Sequence, residues 1–444
     1  MGRNRTHIIL VFTTVILLTI PSLQMFSKFI QVKPLSGVSK KQKLPSFNFQ
    51  DWVNYQYQPQ LYTYLLENYG IREDFIRIYN QFHFNFYNKG NSNVMVGKDN
   101  YLFEPWFIFS YNGENYIGDK KIKDQIHKIQ MVQDTLHSLN KELLVFLSPG
   151  KVSYWPEFVP EKHFSSENKP SNYTKYSEEL GRSKINYIDG NAWFIAAKDT
   201  SLYPLFPKTG THWSFYGSCL AYDSIIRFIT KNTSFHLVDT QITNIHPTSN
   251  LKKTDTDIEN ILNLLLPLDR LELPYPTMKL LNPEEADQPN TVVISDSYFW
   301  NIFNDYPTKN KVFNDFQFWY YNKTIYPDSY KKPTQTTDLN FTSVVDKTDL
   351  FVLMACPQTI ENLGWGFIDR SYDHFYNNTI MDSLQQKQNT LKQDKHESIL
   401  VMINNIKRNK KWFSQIKEKA KSRGITVDSM LYLDARYLIN KKHK

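Results

Sequence analysis

Three observations predict a three-layer α/β/α sandwich built on a parallel sheet. Short, wholly apolar runs recur along the chain, segments of helical periodicity separate them, and polar residues follow most of the runs. The length of 444 residues suits one large α/β domain with appendages. A mean hydropathy of -0.50, with 41% hydrophobic and 22% charged residues, excludes a polytopic membrane protein and a collagen-like chain. The aromatic share of 15% is read mainly as additional core.

The elements follow in order. Arg3 and Arg5 precede an apolar run over residues 8–20 that reaches Phe26, and its 19 residues make about 28 Å of helix. Residues 20–26 offer no small-x-small cleavage site, so residues 1–30 are expected to be an uncleaved signal-anchor helix. The flanking arginines stay inside, which places the rest of the chain outside the cytoplasm. Residues 31–60 mix Lys, Pro, Ser and Gly and read as a stalk. Residues 62–86 are helical in pattern, with Leu65, Leu66, Tyr69, Phe75, Ile76, Tyr79, Phe82 and Phe86 at three- and four-residue spacings. Residues 94–103 form two short β runs around Gly97-Lys98-Asp99-Asn100, a hairpin.

From Lys120 onward helix and strand alternate. A helical face runs from Ile122 to Leu139, followed by strands at 143–147, 185–188, 292–294 and 350–354, with a helix at 214–230. The main domain is expected over 61–380. Residues 381–444 are expected to be a helical tail broken at Gly424; they hold 15 Lys and Arg against 6 Asp and Glu, while the remaining chain is near neutral. A basic tail without a reader motif is a solvated surface, and no nucleic-acid partner is expected. Cys219 and Cys356 lack zinc-ligand spacing, are expected as unpaired buried thiols, and with no metal or cofactor motif in the chain no cofactor is expected.

In open α/β sheets ligands sit beyond the carboxyl ends of the strands, where this chain has Ser148-Pro149-Gly150-Lys151, Asp189, and Ser295-Asp296-Ser297-Tyr298. Ser297 is the candidate nucleophile, since a serine between strand and helix is exposed; the alternative is a helix cap. His212, in Thr209-Gly210-Thr211-His212-Trp213, is the candidate base, or else a packed ring. Lys151 is a candidate for holding a carboxylated substrate or steadying a loop. Trp213, Tyr298 and Trp300 are candidates for stacking on a sugar, or else core.

The chain resembles the AlgJ/AlgX group of SGNH-hydrolase-like sugar O-acetyltransferases. The resemblance runs from about Asn68 to about Asp369 and rests on Tyr69-Gly70-Ile71-Arg72-Glu73, the segment from Val96 to Phe103, Pro149-Gly150-Lys151 with Tyr154, Pro156 and Glu157, Thr211-His212-Trp213, and Ser295-Asp296-Ser297-Tyr298. It implies an SGNH-like sheet and an acyl-serine on Ser297 formed with His212 as base. It further implies a polysaccharide acceptor and a membrane-bound O-acyltransferase that hands over the acetyl group. A deacetylating esterase or an inactive polysaccharide-binding subunit are the alternatives.

One position departs from the family motif. Where the motif Asp-x-His has an orienting aspartate, this chain has Gly210. Asp189, at a strand end, ranks first as its replacement. Asp296 is expected to point away from the histidine, and Asp255 and Asp257 are expected to cap the helix that carries Ile258.

Overall fold

The computed structural model describes residues 2–37, 41–91, 93–167, 169–327, 334–377, 399, 402–423 and 426–442. They fall into two units, Met1–Ile368 and Asp369–Lys444. In the first, seven strands make one sheet: β1 (Glu142–Leu147), β2 (Tyr187–Asp189), β3 (Thr291–Ser295), β4 (Phe316–Tyr320), β5 (Thr324–Tyr326), β6 (Thr334–Gln335) and β7 (Leu350–Ala355), in the order β6-β5-β4-β3-β7-β1-β2. From β4 to β2 every neighbouring pair is parallel, and β5 and β6 are antiparallel. The fold is therefore α/β, as the apolar runs predict, with an antiparallel edge that they do not.

Every residue of β1, β3 and β7 is buried, which is why these strands read as unbroken apolar runs. β4, Phe-Gln-Phe-Trp-Tyr, escaped the sequence reading because aromatics replace the aliphatic run; its Phe316 and Phe318 pack on Phe299. Because β7, last in sequence, sits between β3 and β1 and pairs parallel with both, the carboxyl ends of these three strands lie side by side at one edge of the sheet.

The N-terminal elements are α1 (Gly2–Ser27), α2 (Tyr57–Asn68) and α3 (Arg72–Tyr87). The single helix expected over 62–86 is broken at Tyr69-Gly70-Ile71, where Ile71 adopts φ 53°. Its apolar stripe is not core: Phe75, Tyr79, Phe82 and Phe86 are exposed, and α3 buries Glu73, Arg77, Asn80 and Phe84 instead. Part of the expected stalk is tied to the body, since Ser36 N–H donates to Asn263 and Arg77 donates to the carbonyls of Lys33 and Pro34. The hairpin forms as expected, with Met95–Val96 antiparallel to Leu102–Phe103.

The remaining helices that position the site are α4 (Asp119–Ser138), α5 (Asn172–Arg182), α6 (Gly190–Ala197), α7 (Phe215–Asn232), α8 (Asp257–Leu262) and α9 (Phe299–Asp305). The second unit contains helices Lys410–Arg423 and Val427–Lys442, with Ile406, Ile416, Met430 and Leu431 in its own small core. Gly424 lies outside the described residues. Cys219 and Cys356 are buried free thiols.

Candidate active site

Ser297 stands in the turn between β3 and α9, half-buried and open to solvent on one side. Asp296, beside it, points into the protein: one carboxylate oxygen accepts the Tyr298 N–H at 3.0 Å, the other the Cys356 N–H at 2.9 Å and the Thr359 hydroxyl at 2.6 Å. These bonds fasten the serine turn to the end of β7 and turn Asp296 away from the histidine, as expected.

His212 lies before α7, whose N-cap Ser214 accepts the Gly217 N–H. Its Nε2 is 2.8 Å from Ser297 Oγ, and its Nδ1 is 2.8 Å from Asp257 Oδ2. An ionised carboxylate only accepts, so Nδ1 carries the hydrogen and Nε2 is left to accept from the serine hydroxyl. The other Asp257 oxygen accepts the N–H groups of Thr211, at 2.8 Å, and Ile258, at 2.7 Å. Asp257 thus holds both the imidazole and the backbone beside it.

Burial is the largest influence on the His212 imidazole and lowers its pKa. The hydrogen bond and charge of Asp257, with the charges of Asp296 and Glu104, outweigh it and leave the group above its ordinary 6.5.

Gly210 leaves no room for a side chain at its own position. A Cβ at this position would lie 2.2 Å from the carbonyl oxygen of Thr254 and 2.9 Å from the backbone carbon of Asp255. The segment carrying Asp257 crosses where a side chain at 210 would stand. Thr209 Oγ1 donates to the Asp255 carbonyl at 2.9 Å, and the Glu259 N–H to the Thr209 carbonyl at 3.1 Å, which lock the two segments together.

The place beside His212 that the sequence assigned first to Asp189 is therefore held by Asp257. Asp189 is the N-cap of α6: it accepts the Ala192 N–H at 2.8 Å and hydroxyls of Tyr173 and Ser177 from α5, which engages both its oxygens. Asp257 is the first residue of α8 and not its cap, the N-cap being Thr256; nothing in its spacing announces the contact with His212. Asp255 is fully buried beside the loop.

Lys151 is 2% exposed, and its ammonium donates to the carbonyls of Lys208, at 2.9 Å, and Gly210, at 2.6 Å. It steadies the histidine loop and cannot reach a substrate carboxylate in solvent. Burial pushes it down to about 7, against the charges of Asp257 and Glu104. Glu104, not singled out by sequence, accepts the Thr211 hydroxyl at 2.8 Å and braces the same loop from the hairpin.

Trp213 and Tyr298 are likewise not sugar platforms. They are 0% and 1% exposed and pack edge-on against one another at 5.3 Å, with Tyr298 edge-on beneath His212 at 5.1 Å. Their rings fill the floor of the site and fix the imidazole plane. Trp300 is partly exposed and packs on Phe318 and Tyr326. Among the described residues no His, Cys, Asp and Glu side chains cluster as a metal site.

Lys151→Met is expected to destabilise the fold by about 1–3 kcal/mol for each carbonyl left without its donor. The native ammonium loses its proton near 7, well below the unfolded value, so between these the unfolded chain binds one proton more. Wild-type stability then rises with pH by up to about 1.4 kcal/mol per unit relative to the variant. Denaturant unfolding at pH 7 and 9 checks this, and parallel behaviour of the two proteins would refute it.

Residues 94–295 match the family described as SGNH hydrolase-like domain, acetyltransferase AlgX. Over these residues the α/β domain is similar to SGNH hydrolase-like domains. Over 144 residues the chain is 28% identical to the probable alginate O-acetylase AlgJ of Pseudomonas syringae pv. tomato, covering 31% of this chain and 34% of that protein. It thus spans about a third of the length of this curated relative. Both matches are to proteins of the AlgJ/AlgX-like group, to which this part of the chain is similar.

Similar solved structures include the O-acetyltransferase domain of Pseudomonas putida AlgJ, with 15% identity, TM-score 0.39, and coverage of 64% of this chain and 99% of that one. Pseudomonas aeruginosa AlgX gives 9% identity and TM-score 0.39, with 62% and 67% covered. Bacillus cereus PatB1 gives 11% and 0.33, with 55% and 91% covered.

Proposed function

We propose that this chain transfers acetyl groups to hydroxyls of a polysaccharide outside the cytoplasm, through an acyl-serine on Ser297. The observation that carries the reading is the unbroken hydrogen-bonded line from Asp257 through His212 to Ser297. The acetyltransferase description of the matched domain supports the reaction class, and the name of the curated relative supports a polysaccharide acceptor. The apolar helix Arg5–Ser27 supports an anchor that keeps the site near a membrane-bound O-acyltransferase as acetyl source.

In the first half-reaction Ser297 Oγ attacks the acetyl carbonyl carbon as His212 Nε2 takes the hydroxyl proton. The imidazolium is stabilised by Asp257 and returns the proton to the leaving oxygen as its bond to the acetyl carbon breaks. In the second, a sugar hydroxyl attacks the acyl-serine, Nε2 takes its proton, and the proton passes to Ser297 Oγ as the ester bond breaks.

The protein is incubated briefly with an activated acetyl ester, and the adduct is mapped by peptide mass spectrometry. An acetyl group on Ser297 that moves to an added oligosaccharide supports the transferase. An adduct that yields only free acetate in its presence identifies an esterase, and no adduct on Ser297 refutes the acyl-serine.

Only the neutral imidazole can act as base. Because His212 sits above its ordinary 6.5, the acylation rate is expected to rise with pH through a midpoint above that value. In Asp257→Asn burial is left to dominate and the midpoint moves down. An unshifted midpoint in stopped-flow acylation profiles would count against the pairing.

A further inference from the structure

Helix α3 is amphipathic in the inverted sense. Its inward face is Glu73, Arg77, Asn80 and Phe84, at helical spacing, and the polar members are all bonded. Glu73 pairs with Lys41, Arg77 donates to the carbonyls of Lys33 at 2.7 Å and Pro34 at 2.8 Å, and Asn80 donates to the Leu262 carbonyl at 2.9 Å. Its outward face is Phe75, Ile78, Tyr79, Phe82 and Phe86, exposed by 42 to 71%, with no charged residue among them. Helix α2 has no buried residue and exposes Tyr62, Leu65 and Leu66. Outside α1, the exposed large apolar side chains concentrate between Phe29 and Tyr87. A contiguous apolar face of this kind is covered by something in the working protein.

The elbow between α2 and α3 indicates what covers it. Gly70 is pressed against α1: a Cβ there would lie 2.2 Å from the Pro21 carbonyl oxygen and 2.6 Å from Gln24 Cβ. Gln24 is 5% exposed in a helix otherwise almost bare. The root of α3 is thus fastened to the last two turns of the apolar segment Arg5–Ser27, where a spanning helix leaves the hydrocarbon. Phe, Tyr and Trp favour that depth, where their rings lie among acyl chains and their polar groups reach the headgroups.

We infer that the outward face of α3, with α2, lies in the outer interface of the bilayer that α1 spans, as a second contact with lipid. The partner is a lipid surface engaged through apolar side chains, so neutral phosphatidylcholine suffices. This rests on the anchor reading of α1 and deepens it: the domain is held flat at the membrane instead of swinging on a tether.

The test uses the full chain in phosphatidylcholine proteoliposomes, with single nitroxide labels at Tyr79→Cys, Phe82→Cys, Phe86→Cys, Ile16→Cys in α1, and Leu202→Cys on the body. Cys219 and Cys356 are buried and do not compete for label. All five sites are exposed, so the fold tolerates them. The expected result is severalfold lower collision with a water-soluble nickel chelate at 79, 82 and 86 than at 202, together with high collision with oxygen. Nickel access at the three sites equal to that at 202, with 16 shielded, overturns the inference and leaves the anchor intact. Immobilised labels shielded from both reagents overturn it in favour of a protein partner or second copy. Nickel access at 16 overturns the anchor reading and the inference with it.

Discussion

Ser297→Ala is expected to leave no acetyl adduct at all, and Asp257→Asn to slow adduct formation by about 10²- to 10⁴-fold with the serine still in place. The first variant removes the atom to which the acetyl group bonds. The second keeps the shape of the side chain but presents an amide to His212 Nδ1. That site then favours the tautomer whose Nε2 carries a hydrogen and can no longer accept from Ser297. The imidazolium formed in acylation also loses its counter-charge. Because Asp257 also accepts the Thr211 and Ile258 N–H groups, the variant is expected to unfold at a somewhat lower temperature. Single-turnover acylation followed by mass spectrometry, with melting curves alongside, separates the two effects. Wild-type acylation in Asp257→Asn would exclude it as the orienting acid.

Gly210→Asp, which writes the family's Asp-x-His motif back into the chain, is expected to reduce activity instead of raising it. The new Cβ meets the Thr254 carbonyl and the Asp255 backbone, atoms that no rotamer change can move. The 254–257 segment has to withdraw, taking Asp257 from His212 and breaking the bonds that join Thr209 to Asp255 and Glu259. Crowding a packed site costs about 1–3 kcal/mol, and the acylation rate should fall at least as far as in Asp257→Asn. In the double variant Gly210→Asp, Asp257→Asn the losses should not add, since both act on one contact. A Gly210→Asp protein with wild-type rate and melting temperature would show that the two segments do not exclude each other.

The two aspartates also show where reading from sequence reaches its limit. Asp189 and Asp257 each cap or open a helix, and both are plausible neighbours of a histidine loop. Only one of them meets His212, and it lies 45 residues away in the chain. For Lys151, Trp213 and Tyr298 the sequence leaves two readings open, contact with a substrate or support from within as a loop brace or core. Adjacency to a site places a side chain beneath it as readily as above it, and all three are beneath. Glu104 carried no signal, since a lone acid after a hairpin is usually solvated.

What the sequence determined by itself is the parallel core and the positions of Ser297 and His212. Buried parallel strands must be apolar on both faces, so β1, β3 and β7 are legible as runs, and the polar residues at their ends mark the crevice. The tertiary structure alone decided which carboxylate serves the histidine and which way α3 faces. A hydrogen bond at 2.8 Å depends on how two distant segments cross, and here the missing side chain of Gly210 makes the crossing possible. Helical periodicity shows that an apolar face exists, but only the bonds made by Glu73, Arg77 and Asn80 on the opposite side fix it outward.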